Sequence, residues 1–268
     1  MKALALAFLL GLAGAAAAAP VLQPQVLATH PHDRTAFTQG LAWADGWLYE
    51  STGLYGESSL RRYRPDGSEG LLKRLPKRLF GEGLAVVDGR LIQLTWRAGL
   101  ALIYDRDTLR YLDRFRYRGE GWGLAWDGRH LYHSDGSDRI LVRDPDTFRT
   151  VRLIQVRDGD EPVKRLNELE WVAGELWANV FETPRIARID PESGRVKGWI
   201  DLARLRPEDT LGDALAVANG IAYDPQGRRL FVTGKRWPVL YELALPADLQ
   251  DQLANQSSKR STGMGGAM

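Results

Sequence analysis

The sequence predicts an all-β fold, a five-bladed β-propeller closed by an N-terminal strand, on three observations. One motif recurs five times, helical periodicity is almost absent, and each recurrence carries the turn chemistry of a short hairpin. The recurrences are QGLAWADGWLYEST from Gln39, EGLAVVDGRLIQLT from Glu82, WGLAWDGRHLYHSD from Trp122, NELEWVAGELWANV from Asn167 and NGIAYDPQGRRLFVTG from Asn219. Their second residues, Gly40, Gly83, Gly123, Glu168 and Gly220, follow one another at intervals of 43, 40, 45 and 52. A four-stranded propeller blade repeats every 40–50 residues or so, in roughly that range.

Each element follows in chain order. Residues 1–19 combine Lys2, an apolar stretch from Ala3 to Ala13 and an alanine run, which reads as a secretory signal peptide cleaved near Ala18 or Ala19. The mature chain is then expected to be exported, periplasmic or secreted, with no membrane attachment after cleavage. Residues 20–250 form the propeller. In its first blade, Leu41-Ala42-Trp43 meets the turn Ala44-Asp45-Gly46 and returns as Trp47 to Glu50. Third strands alternate like Ile186-Ala187-Arg188-Ile189 and stop at turns such as Asp190-Pro191-Glu192-Ser193-Gly194. Four units carry a fourth strand, whereas the fifth ends after Val239 to Leu243, so Gln25 to Thr29 is the expected donor of the missing strand. Helical spacing is confined to the stretch from Pro246 to Ala254. Residues 251–268, polar and Gly-rich at their end, are expected to be a disordered tail.

Composition narrows the chemistry. With 268 residues the chain can bury a core without staples, and the absence of cysteine excludes disulfides, a Cys nucleophile and iron–sulfur ligation. Lys and Arg number 36 against 34 Asp and Glu, a net charge of +2, so no basic field exists to hold a nucleic acid. Nine tryptophans exceed the needs of strand packing and suggest an apolar pocket wall.

Inner strands line a propeller's channel, so the residues that open them converge on one mouth. These are Gln39, Glu82, Trp122, Asn167 and Asn219, four of them polar. Such groups either form a site or hold water and tie blades together. A carboxylate at Glu82, near Trp96 and Trp122, would be desolvated and its pKa raised; the alternative is an ordinary salt bridge to Lys235 or an arginine. Trp96 fits a core position equally well.

Other patterns carry less. Gly119-Glu120-Gly121-Trp122-Gly123 lacks the nucleotide-loop spacing and opens no helix. His30-Pro31-His32 has no third partner and reads as exposed loop. The channel ring contains no histidine, so no catalytic metal is implied and no cofactor is required, while a structural divalent cation stays an open alternative. Two other readings stay open: a metal-dependent, lactonase-like propeller hydrolase using Glu82, Asn167 and Asn219, and a non-catalytic exported peptide-binding propeller.

The residues also carry a resemblance. Phe37-Thr38-Gln39-Gly40-Leu41, Leu48 to Gly56, Phe80-Gly81-Glu82-Gly83, Leu94-Thr95-Trp96, Gly121-Trp122-Gly123-Leu124, Leu166 to Glu170, Trp177 to Val180, Asn219 to Ala222 and Thr233-Gly234-Lys235-Arg236-Trp237-Pro238 resemble the glutaminyl-peptide cyclotransferases of the plant and bacterial type. The resemblance implies a five-bladed propeller that converts N-terminal glutamine of a peptide or protein to pyroglutamate and releases ammonia. It implies site positions at Phe37, Gln39, Glu82, Trp96, Trp122, Asn167 and Lys235, with Glu82 as the proton-transfer residue. A further wall position, usually Trp, is Phe181 here, which keeps an aromatic face but loses an indole N–H. A monomer is expected.

Overall fold

The computed structural model describes residues 17–68 and 70–263, with backbone alone after residue 255. The expected signal peptide lies almost wholly outside the described residues. Five antiparallel blades form a β-propeller. From the channel outward, blade 1 comprises Thr38–Ala44, Trp47–Thr52, Ser59–Tyr63 and Leu71–Arg74. Blade 2 comprises Gly81–Val87, Arg90–Thr95, Leu100–Asp105 and Tyr111–Arg116. Blade 3 comprises Leu124–Trp126, Leu131–Ser134, Arg139–Arg143 and Thr150–Gln155. Blade 4 comprises Leu166–Val172, Glu175–Val180, Arg185–Ile189 and Val196–Asp201.

Blade 5 has three strands of its own, Ala218–Asp224, Arg229–Gly234 and Val239–Leu243, and Val26–Pro31 lies antiparallel to the last of them. The same N-terminal segment also touches blade 4, where Val21–Leu22 pairs in parallel with Trp199 and Ile200. Alternation along the strands sends apolar residues into the spaces between blades. Leu41 and Leu48 of blade 1, for instance, pack against Ala222, Phe231 and Leu240 of blade 5.

The glycine of the repeat has a steric cause. The five inner strands crowd into a narrow ring, and at Gly83 a Cβ would stand 2.5 Å from the backbone nitrogen of Leu124 in the next blade. At Gly123 it would collide with the carbonyl of Asn167. Backbone cannot yield as a side-chain end can. Gly83→Ala is therefore expected to cost about 1–3 kcal/mol, the usual penalty of overpacking, read as a lowered midpoint in urea unfolding with an unchanged slope. Blade 4 has Glu168 instead of glycine, and its carboxylate accepts hydrogen bonds from the backbone N–H of Leu41 (3.2 Å) and Ile221 (3.0 Å), so it ties blade 4 to blades 1 and 5.

Two expectations are corrected. The tail is not disordered from residue 251, because a helix runs over Ala247–Gly263. Leu249 is fully buried, and Asp248 joins the guanidinium of Arg188 (2.5 Å), which itself bonds Glu175 through Nε (2.9 Å) and Nη2 (3.0 Å). Arg188 is already paired with the buried Glu175, and the more exposed Asp248 adds a second carboxylate, so the contact, together with the buried Leu249, fastens the helix to blade 4. His32, expected on an exposed loop, is buried between the Glu50 carboxylate (3.1 Å) and the Trp237 carbonyl (2.6 Å). These partners raise its pKa although burial opposes them.

Candidate active site

The mouth is built at the start of the inner strands, where the repeat delivers one residue per blade. Glu82 is 5% exposed, and its Oε1 accepts a hydrogen bond from Gln39 Nε2 at 3.0 Å. Gln39 is held in turn, since its Oε1 accepts from Asn219 Nδ2 at 3.2 Å. Asn219 also donates to the Thr38 carbonyl at 2.9 Å. The chain Asn219–Gln39–Glu82 thus runs across blades 5, 1 and 2, and fixes which face of the Gln39 amide meets the carboxylate.

Burial pushes the Glu82 carboxyl well above the usual range; the negative charge of Glu120 adds to this, while the Lys235 ammonium opposes it. Lys235 follows the second strand of blade 5 and is 4% exposed. Its Nζ lies 4.8 Å from the centre of the Phe37 ring and 4.9 Å from that of Phe181, a cation between two π faces. Burial pulls its pKa down to about 8, with Glu82 holding it up. Among the described residues no ion pair within 4 Å joins the two, so the salt bridge weighed for Glu82 is absent, and the coupling acts through space.

Around this pair stand half-buried rings. Trp122 meets Phe181 edge to face at 5.7 Å, and Trp96 lies 5.5 Å from Phe80. Phe37 meets Phe80 edge to face at 6.4 Å. Trp96 is therefore a wall of the mouth and not core. Asn167 opens blade 4 and is buried, but its side-chain amide has no hydrogen-bond partner among the described residues. Its backbone carbonyl accepts from Ser134 Oγ at 2.6 Å.

Sequence reasoning missed two residues. Phe80 joins the walls through Phe37, Trp96 and Tyr55. Glu120 accepts hydrogen bonds from Trp96 Nε1 (2.8 Å) and Trp122 Nε1 (3.0 Å) on one oxygen. Its setting between Gly119 and Gly121 is the signal the sequence offers. Among the described residues no group of three His, Asp or Glu side chains is placed to hold a metal ion.

The arrangement offers a desolvated carboxyl able to carry a proton, a nearby cation, amide donors and an aromatic enclosure. Comparison with known proteins decides what it belongs to. Residues 1–245 match the family described as glutamine cyclotransferase. The chain belongs to that family. It is 42% identical over 226 residues to the glutaminyl-peptide cyclotransferase of Arabidopsis thaliana, covering 82% of this chain and 71% of that protein. Its fold is similar to the crystal structure of Myxococcus xanthus glutaminyl cyclase, with a TM-score of 0.78, 36% identity, and coverage of 84% of this chain and 97% of that one. The five-bladed architecture read from the repeat and the resemblance to the cyclotransferases agree with these findings.

Proposed function

We propose that this member of the family cyclises N-terminal glutamine of peptides or proteins by acid–base catalysis at Glu82, without a catalytic metal. The observation that carries the reading is the buried Glu82 carboxyl, tied to Gln39 at 3.0 Å and coupled to Lys235, whose ammonium lies over the Phe37 and Phe181 rings. In this reaction the neutral α-amine attacks the side-chain amide carbon, a C–N bond forms, and the original amide nitrogen leaves as ammonia. One proton must travel from the attacking amine to the departing nitrogen. A carboxyl with a raised pKa both accepts and returns it near neutrality, whereas an ordinary carboxylate is too weak a base.

The other residues serve geometry and charge. Trp96, Trp122 and Phe181 fold the flexible glutamine chain towards the attacking conformation. Lys235 and the free Asn167 amide supply donors for the oxygen that becomes negative and for the peptide carbonyl. Gln39, locked by Asn219, holds Glu82 towards the substrate. An α-amine titrating near 8 is already partly neutral at pH 7, so little work is needed to supply the nucleophile.

The test is ammonia release from a short peptide beginning with Gln, beside the same peptide with an acetylated N-terminus, each with and without EDTA. Release from the free-amine peptide alone, equal in EDTA, is the expected result. Loss of release in EDTA would favour the hydrolase-type metal reading, and binding of the Gln peptide without release would favour the binding module. Among the described residues no helix is long and apolar enough to cross a membrane. We further propose export, which N-terminal sequencing of the mature protein checks by a start at or close to Ala19 or Pro20.

A further inference from the structure

The geometry points to Glu120 as a positioning residue that clamps the two tryptophan walls, so that the mouth is preformed for a folded glutamine chain. The inference rests on the cyclotransferase reading and extends it to a side chain that does not touch Glu82 by any hydrogen bond. Trp96 follows the second strand of blade 2, and Trp122 lies just before the inner strand of blade 3. Ring contacts with Phe80 and Phe181 do not satisfy the two indole N–H groups. Glu120 does, because a single oxygen, Oε2, accepts both indole N–H groups, at 2.8 Å from Trp96 and 3.0 Å from Trp122.

The clamp is itself held from both sides. Its second oxygen accepts from Arg97 Nε at 2.8 Å, and the Arg97 guanidinium lies 3.8 Å over the Trp96 ring. The backbone is fixed as well. Gly121 N–H donates to the Trp96 carbonyl at 3.0 Å and Trp122 N–H to the Ser134 carbonyl at 3.0 Å. The Glu120 carbonyl accepts from Nε2 of the fully buried His133 at 3.2 Å. Arg143 Nε donates to His133 Nδ1 at 2.8 Å, and this defines the tautomer, with the proton on Nε2 pointing at Glu120. Four side chains, Trp96, Arg97, Trp122 and His133, thus converge on one loop residue. A glutamine chain has several freely rotating bonds, so walls already set in place remove ordering that would otherwise fall in the reaction step.

The experiment compares wild type, Glu120→Ala and Glu120→Gln in ammonia release from a Gln peptide, with acrylamide quenching of tryptophan fluorescence and the thermal midpoint for each. Glu120→Ala is expected to lower kcat about ten- to a hundredfold with KM changed less than about threefold, and to increase quenching. Glu120→Gln keeps an acceptor oxygen without the charge, and should restore kcat to within about threefold of wild type. Unchanged kcat and quenching in Glu120→Ala, or a Glu120→Gln as slow as Glu120→Ala, would overturn the clamp; the latter would assign the effect to charge. A lowered midpoint with kcat intact would likewise reduce Glu120 to a structural part. If the wild type releases no ammonia, it is the cyclotransferase reading that fails, and the quenching comparison still decides whether the tryptophans are clamped.

Discussion

Glu82→Gln is expected to leave a folded propeller whose ammonia release is slower by about two to four decades, the range for loss of a general acid–base. The substitution is close in shape. Its amide oxygen can take the hydrogen bond that Gln39 Nε2 now gives to Glu82 Oε1 at 3.0 Å, so the cross-blade chain survives. What disappears is the carboxyl that burial holds well above its usual range and that the proposed reaction uses to accept and return the proton. The pKa of Glu82 is raised in the folded state, chiefly by burial. Its contribution to stability is therefore complete below the unfolded value and is lost as pH rises through the folded value. Glutamine carries no such dependence, so the variant should hold its thermal midpoint better than wild type at alkaline pH. Lys235, deprived of the carboxylate that supports its charge, should titrate further below about 8. The check is kcat by ammonia assay together with the thermal midpoint against pH. Near-wild-type kcat in the folded variant would remove Glu82 from the proton path.

The ring of blades was legible because a propeller repeats its sequence along with its structure. Gly40, Gly83 and Gly123 mark inner strands packed too closely for a Cβ, and that constraint prints itself at one position in three units. The repeat also made neighbours of Gln39, Glu82, Asn167 and Asn219, distant along the chain. It was silent wherever contacts do not repeat. Glu120 lies in a loop before the blade 3 strand, and only the fold shows two indoles on its carboxylate. The C-terminal helix was hidden for a similar reason. Its anchor, Arg188 with Glu175, sits in strands of blade 4, 60 residues from Asp248 in the case of Arg188, and no local pattern announces such a docking. A His-Pro-His triplet looks exposed in the sequence, and only the fold sets His32 against Glu50.

Lys235→Met is expected to lower kcat/KM by about two to three decades if the ammonium stabilises developing charge on the amide oxygen, the scale found on removing one such donor. The pH profile makes this more than a loss of binding. In the wild type Lys235 titrates at about 8, so its positive charge fades as pH rises through that value. The substrate amine needs to be neutral and titrates close to the same point, near 8. The two demands oppose each other, and the wild-type optimum should be narrow and centred near that pH. Methionine keeps the stem that packs between Phe37 and Phe181 but carries no charge to lose. The alkaline decline should therefore vanish in the variant. Glu82, freed from the cation that lowers its pKa, should titrate higher still, moving the acid limb upward. A rise in KM alone, with kcat and both limbs unchanged, would instead place Lys235 among the groups that hold the peptide in ground state and transition state alike. The two limbs thus separate charge stabilisation from simple binding, since only a titrating cation coupled to Glu82 can move both at once.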